Sequence, residues 1–141
     1  MNVMERPEVR RRTMQAVKSE DTAPEMAVRR VVFANGFRYR LHRRDLPGKP
    51  DLVFPRTHKV IFVHGCFWHG HNCARGARVP KHNREYWTNK INRNKARDRA
   101  ARAALKSLGW MSLVVWECEL KRQERLETKI IRFLGQPAAG L

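Results

Sequence analysis

The sequence predicts an α/β domain, a small mixed β-sheet flanked by helices in the order α-β-β-β-α-β-α. Three observations carry this reading. A capped amphipathic segment precedes three short apolar runs divided by turn residues; a long Ala-, Lys- and Arg-rich stretch separates these from a fourth run; and a second amphipathic segment follows. A chain of 141 residues suits one such domain and can bury a core without disulfides.

Met1 to Glu20 reads as a basic arm, with Arg6, Arg10, Arg11, Arg12 and Lys18 crowded around Met14 and Val17, suited to ordering on a polyanion. The domain is expected over 21–134. It opens with Thr22 as N-cap and Pro24 in the first turn, with Met26, Ala27, Val31 and Ala34 as the apolar stripe and Gly36 just past the end. Phe37, Tyr39 and Leu41 alternate with Arg38, Arg40 and His42 as a half-exposed strand. The turn Leu46-Pro47-Gly48-Lys49-Pro50 leads into the strand Asp51 to Phe54, and Pro55 to His58 turns the chain back into Lys59 to Val63. After a Cys- and His-rich loop, Arg84 to Leu108 reads as a helix closed by Gly109, its end packing through Ala101, Ala104, Leu105 and Leu108. Lys90, Arg93, Lys95, Arg97 and Arg99 should stay solvated. Trp110 to Trp116 is a buried strand, Glu124 to Leu134 an amphipathic helix, and 135–141 a flexible tail.

Lys and Arg number 30 against 13 Asp and Glu, a net charge of +17, far more than solubility requires. Such an excess points to a polyanionic partner, nucleic acid or an anionic membrane surface. Spanning a membrane is excluded, because Val60-Ile61-Phe62-Val63 and Leu113-Val114-Val115-Trp116 fall far short of the ~20 apolar residues needed. The first residues hold no apolar segment of a secretory signal, and three cysteines cannot all pair within the chain. A reducing cytoplasm is the expected location.

His64 to Cys73 concentrates two of the three cysteines and three of the six histidines, and the third thiol, Cys118, follows the last strand. Cys66, His71, Cys73 and Cys118 would satisfy tetrahedral, structural zinc. The alternative is that the thiols are small buried hydrophobes and the histidines an ordinary polar loop. His64 and His69 are then left over, either as proton acceptors for an attacking water or as hydrogen-bonded loop residues. Asp51, where a proline-rich turn enters a strand, is either a turn cap or a carboxylate that bridges to a phosphate through a divalent cation. Phe67 and Trp68 stand in a polar loop, either packed locally or poised to wedge between bases.

Pro50-Asp51, the element order and the string HGCFWHGHNC together resemble the very-short-patch repair (Vsr) endonucleases, zinc-containing relatives of the restriction-endonuclease-like, PD-(D/E)xK nucleases. The resemblance runs from about Arg12 to Arg122 and includes Met14, Asp21-Thr22-Ala23, Leu46-Pro47-Gly48, Arg97-Asp98-Arg99, Gly109-Trp110 and Val115-Trp116-Glu117-Cys118. It implies a restriction-endonuclease-like core and an enzyme that nicks one DNA strand 5′ of the mispaired thymine in a T·G mismatch, such as deamination of 5-methylcytosine creates. Asp51 would hold catalytic Mg2+ together with the backbone carbonyl of Val63, where the family usually has Thr. His69 would be the general base, His64 a polar group at the scissile phosphate, Asp98 the partner that orients a histidine, and Glu25 a support for the metal's water. Cys66, His71, Cys73 and Cys118 fall on the zinc ligands.

The expected DNA contacts are Met14, Phe67, Trp68, Trp87, Arg12 and Lys90, although Trp87 could instead line the core. The partner is duplex DNA bearing the mismatch, with mismatch-repair proteins as candidate partners and a monomer as the expected state. The [D/E]-x-K element of the wider superfamily is replaced by Val63-His64-Gly65, so a histidine must take over the role of the lysine or second carboxylate. Two other readings fit the same residues: a related nuclease of different specificity, and a zinc-braced nucleic-acid-binding module without catalysis.

Overall fold

The computed structural model describes residues 22–41, 43–74 and 76–135. Arg12 and Met14, with the rest of the basic arm, and the tail after Gly135 lie outside the described residues. The elements are α1 (Ala23–Ala34), β1 (Arg40–Leu41), β2 (Leu52–Phe54), β3 (Lys59–His64), α2 (Arg84–Ser107), β4 (Met111–Trp116), a 3-10 turn (Glu117–Lys121) and α3 (Gln123–Leu134). The order expected from the sequence is therefore found, with the 3-10 turn added.

The four strands lie in the order β1-β2-β3-β4. β1 and β2 are antiparallel, as are β2 and β3, whereas β3 and β4 run parallel from Lys59↔Met111 to His64↔Trp116. A parallel pair needs a long crossover, which α2 supplies. Alternation along the strands sorts side chains to two faces. Leu52, Phe54, Ile61 and Val115 meet Val28 and Val32 of α1 and Leu126, Ile130 and Leu134 of α3. Val53, Val60 and Phe62 meet Leu46 and Leu105, with Trp110 and Val114 packed alongside. Helices thus cover both faces, and all three residues of β2 are buried.

Thr22 caps α1, its side-chain oxygen accepting from Glu25 N at 3.3 Å, and Gly36 turns the chain at φ +84°. The buried face of α1 differs from the expected stripe. Val28 and Val32 face the core with Glu25 and Arg29, whereas Met26 is 38% exposed and Ala34 lies on the surface. Apolar periodicity misses this face because half of it is an ion pair (Arg29 Nη2 to Glu25 Oε2, 2.5 Å). Two residues of the expected 37–41 strand pair, Arg40 and Leu41. Phe37 is instead drawn into the core beneath α1, and Leu41 at the sheet edge stays exposed.

α2 buries only Ile91 and Leu105. Leu108, expected to pack, is 61% exposed, because it caps the helix and Gly109 (φ +87°) then reverses the chain. Trp110 takes that place, its amide donating to Leu105 O at 2.9 Å. Among the described residues, no helix is long and apolar enough to cross a membrane.

Lys129 of α3 ties the exit of β4 together. Its Nζ donates to Val114 O at 2.9 Å and to both Glu119 oxygens, at 2.7 and 2.8 Å, while Glu119 Oε1 accepts from Trp116 N at 2.8 Å. Lys129→Met is expected to lower stability by about 1–3 kcal/mol, since it strands a β4 carbonyl and a half-buried carboxylate. Urea unfolding measures it, and an unchanged midpoint would show that the network contributes nothing.

Candidate active site and metal cluster

Asp51 immediately precedes β2, and the antiparallel register sets it beside the end of β3. Its amide donates to Ile61 O at 3.1 Å, and its Oδ2 accepts from Val63 N at 2.6 Å. Burial, opposed by that amide and reinforced by the nearby Glu25 carboxylate, pushes the Asp51 carboxyl from 3.8 up to about 8. The Arg29 charge works the other way. The buried Glu25 and the half-buried Asp51, two neighbouring carboxyls, are suited to a hard divalent cation, which would relieve their repulsion.

Asp51 and Glu25 open onto a cavity of about 560 Å³, lined also by Val63, His64, His69 and Asp98. His69 Nδ1 lies 2.6 Å from Asp98 Oδ2, and the His64 ring stacks on His69 with centroids 3.7 Å apart and planes 3° from parallel. His64 is buried, and its Nδ1 has no hydrogen-bond partner. Burial first, then the charges of His69 and Arg102, push it down from 6.5 to about 3, so it stands neutral.

A second cluster forms behind this wall. One ligand atom from each of Cys66, His71, Cys73 and Cys118 lies within 4.8 Å of the others. The Cys118 sulfur is 3.5 Å from His71 Nδ1, and the His71 ring stacks on Trp116 at 4.1 Å. Burial, with Cys118 and Cys73 close by, pushes the Cys66 thiol up to about 12. A cation among the sulfurs reverses that preference, so the donor set fits a metal site. Gly76 makes this packing possible. A Cβ there would fall 2.1 Å from His71 O and 2.9 Å from Cys66 O.

The aromatic residues gather around Trp68, which lines the cavity. Phe67, Trp68 and Trp87 meet edge to face, with centroids 5.1 to 5.7 Å apart. Lys90 Nζ lies 5.5 Å from the Trp68 ring and 6.0 Å from that of Trp87, so it is not a freely solvated lysine of α2. Trp87 belongs to this group and not to the core. Phe67 and Trp68 are half-buried against each other and Trp87, which offsets much of the cost of their exposure.

All six residues expected around the catalytic ion thus share one cavity, and the four thiol and imidazole ligands share one cluster. Sequence reasoning missed Arg29, Asn94, Tyr86, Trp116 and Gly76. Asn94 Nδ2 donates to Trp68 O at 2.8 Å, and Tyr86 packs on Trp87. The i,i+4 spacing of Glu25 and Arg29 on α1 was a usable signal.

Two expectations follow from this geometry. A native carboxyl pKa above the unfolded value contributes stability at low pH and loses it as pH rises, whereas a depressed histidine gains until its unfolded value near 6.5 is passed. Between about 6.5 and 8 Asp51 therefore acts without His64, and the melting temperature of metal-free protein should fall across that window. Asp51→Asn should flatten the fall; an equal slope in the variant would place its origin elsewhere. Gly76→Ala should cost at least about 2–3 kcal/mol, because backbone must move to admit the methyl group. Calorimetry on the metal-loaded protein tests this, and a wild-type melting temperature would show that the loop accommodates it.

Comparison with known proteins agrees with the geometry. Residues 2–75 match the family described as DNA mismatch endonuclease Vsr. The chain is 52% identical over 128 residues to the type II nicking enzyme V.XorIIP of Xanthomonas oryzae pv. oryzae, covering 91% of this chain and 93% of that protein. It is 40% identical over 123 residues to the type II nicking enzyme V.NmeAIP of Neisseria meningitidis, covering 87% of each. With the DNA mismatch endonuclease Vsr of Escherichia coli it shares 41% identity over 117 residues, 83% of this chain and 74% of that one. The chain belongs to the Vsr DNA mismatch endonuclease family and is a DNA endonuclease.

Proposed function

We propose that this endonuclease nicks one strand of duplex DNA on the 5′ side of the mispaired thymine in a T·G pair, using Mg2+ at Asp51 on a restriction-endonuclease-like core. The observation that carries this reading is the meeting, in one cavity, of the Asp51–Glu25 carboxylate pair with a His69–Asp98 pair. The names of the relatives, mismatch endonuclease and nicking enzyme, support single-strand cleavage at a mispair.

Asp51 and the Val63 carbonyl would hold Mg2+, with Glu25 supporting its water. Bound there, the ion would neutralise charge on the scissile phosphate and lower the pKa of an attacking water. Asp98 accepts the Nδ1 proton of His69, which fixes the tautomer and leaves Nε2 to take the proton of that water. The water oxygen bonds to phosphorus as the bond to the departing sugar oxygen breaks, and that oxygen leaves with a proton from solvent. His64, neutral and with an unpartnered Nδ1, offers a polar contact to the phosphate.

Phe67, Trp68 and Trp87 form the wedge that separates base steps, which costs least at a mispair. Lys90 accompanies them, and the arm bearing Arg12 and Met14 contacts the same DNA. Three thiols and an imidazole suit Zn2+ in the second cluster, bracing the loop against the end of β4. We further infer a single catalytic domain over 21–134, acting as a cytoplasmic monomer with mismatch-repair proteins as partners.

The test is a nicking assay on duplex with one T·G pair and on its fully paired counterpart, each with Mg2+ or EDTA. Wild type should cut only the mismatched duplex and only with Mg2+. Asp51→Ala should abolish the nick while binding DNA about as tightly, because it removes the carboxyl that would hold Mg2+ and no cation that meets phosphate. Equal cutting of paired duplex would mean a different specificity. Loss of binding together with cleavage in the variant would make Asp51 structural.

A further inference from the structure

Among the described residues, four cations line the cavity: Lys49, Lys90, Arg97 and Arg102. Lys90 stands over the aromatic wedge. Arg102 lies twelve residues further along α2, about 18 Å at 1.5 Å per residue, so it belongs to the opposite end of the cavity. It is one helical turn beyond Asp98 and on the same face, and its charge acts on the buried His64.

The turn before Asp51 is docked against that part of α2. A Cβ built on Gly48 (φ +78°) would lie 2.7 Å from Ala101 Cβ and 3.1 Å from Phe62 Cε1, so backbone rests directly on the helix. Lys49 and Arg102, the chain neighbours of Gly48 and Ala101, both line the cavity. Lys49 holds φ +50°, a left-handed conformation uncommon for lysine. Among the described residues, neither side chain makes a hydrogen bond or ion pair, whereas Arg29 and Arg43 are matched by Glu25 and Asp45. Two uncommitted cations beside Asp51 and His64 are placed to take a phosphate.

We propose that Lys49 and Arg102 form a cationic clamp on a backbone phosphate of the cleaved strand, at the Asp51–His64 end of the cavity. This rests on the reading of duplex DNA as substrate and deepens it. The wedge and Lys90 address the mispair, while the clamp fixes the strand without reading its sequence. Arg102 also supplies, from a helix, fixed positive charge at a site where Val63-His64-Gly65 replaces the lysine-bearing element of related nucleases.

The experiment measures DNA affinity by fluorescence anisotropy against NaCl concentration, in EDTA so that the duplex stays intact. Lys49→Gln and Arg102→Gln should each lower the slope of log affinity against log salt by ~0.9, and the double variant by about twice that. Arg102→Lys should keep the wild-type slope, as should Arg132→Gln on α3. Melting temperatures should match wild type, since both side chains are exposed. In Mg2+, single-turnover nicking by the double variant should fall at least about tenfold. A double variant with the wild-type salt slope overturns the clamp, whatever its rate. If wild type leaves T·G duplex uncut, the specificity proposed above fails, and the slopes on that duplex still decide the clamp.

Discussion

The 2.6 Å hydrogen bond from the Val63 amide to Asp51 Oδ2 joins the beginning of β2 to the end of β3, and the cavity is arranged around that junction. Antiparallel pairing brings these two points together, with Leu52 opposite Ile61. The position is expensive for a carboxylate, because it is largely withdrawn from water and Glu25 adds a second acidic group. One amide and Arg29 do not offset this fully, which is why Asp51 holds its proton to an unusually high pH. A cation bound here would take the place of that proton and let the carboxylate ionise. The burial that disfavours the ionised form thus makes the position one that a cation would suit.

The loop from His64 to Cys73 supplies three separate groups from ten residues. His64 and His69 face the cavity, Cys66, His71 and Cys73 converge with Cys118, and Phe67 and Trp68 join Trp87. A segment this short can serve three directions only by turning sharply. Gly70 at φ +63° makes such a turn, where a Cβ would meet Ile91 Cγ2 at 2.7 Å. The sulfur cluster holds one side of the loop, and its hold on Cys118 is secured in turn by Glu119 and Lys129. Breaking the cluster would therefore release the histidines as well as the thiols.

Much of this was legible in the sequence because it is written in local chemistry. Thr22, Gly36 and Gly109 punctuate helices through backbone rules that need no tertiary context, and the thiols and imidazoles crowded between 64 and 73 are the donors that a soft metal site uses. The inward face of α1 was not legible. Glu25 and Arg29 replace apolar residues there, so a hydrophobic pattern points to the wrong side of the helix. Leu108 misled for the opposite reason, being apolar and in register but one residue past the last turn. Gly76 gave no signal, since its need to be glycine comes from the carbonyls of His71 and Cys66, which only the folded loop brings close. Lys90 illustrates the same limit: a lysine on a polar helix face reads as solvated until rings from another segment are placed beneath it.

α2 joins the aromatic cluster mechanically to the cavity. With only Ile91 and Leu105 buried, the helix owes little of its position to the core. It is held by contacts along the cavity instead: Asn94 to the Trp68 carbonyl, Asp98 to His69, and Ala101 beneath Gly48. These lie at 94, 98 and 101, consecutive turns of one face, so the loop bearing Trp68, the His69–Asp98 pair and the turn that presents Asp51 are all registered on a single rigid rod. A displacement of Trp68 acts on α2 one turn from the residue that orients His69. The proposed recognition of distorted DNA and the proposed hydrolytic groups therefore need no separate moving part, because the helix that supports one also sets the geometry of the other.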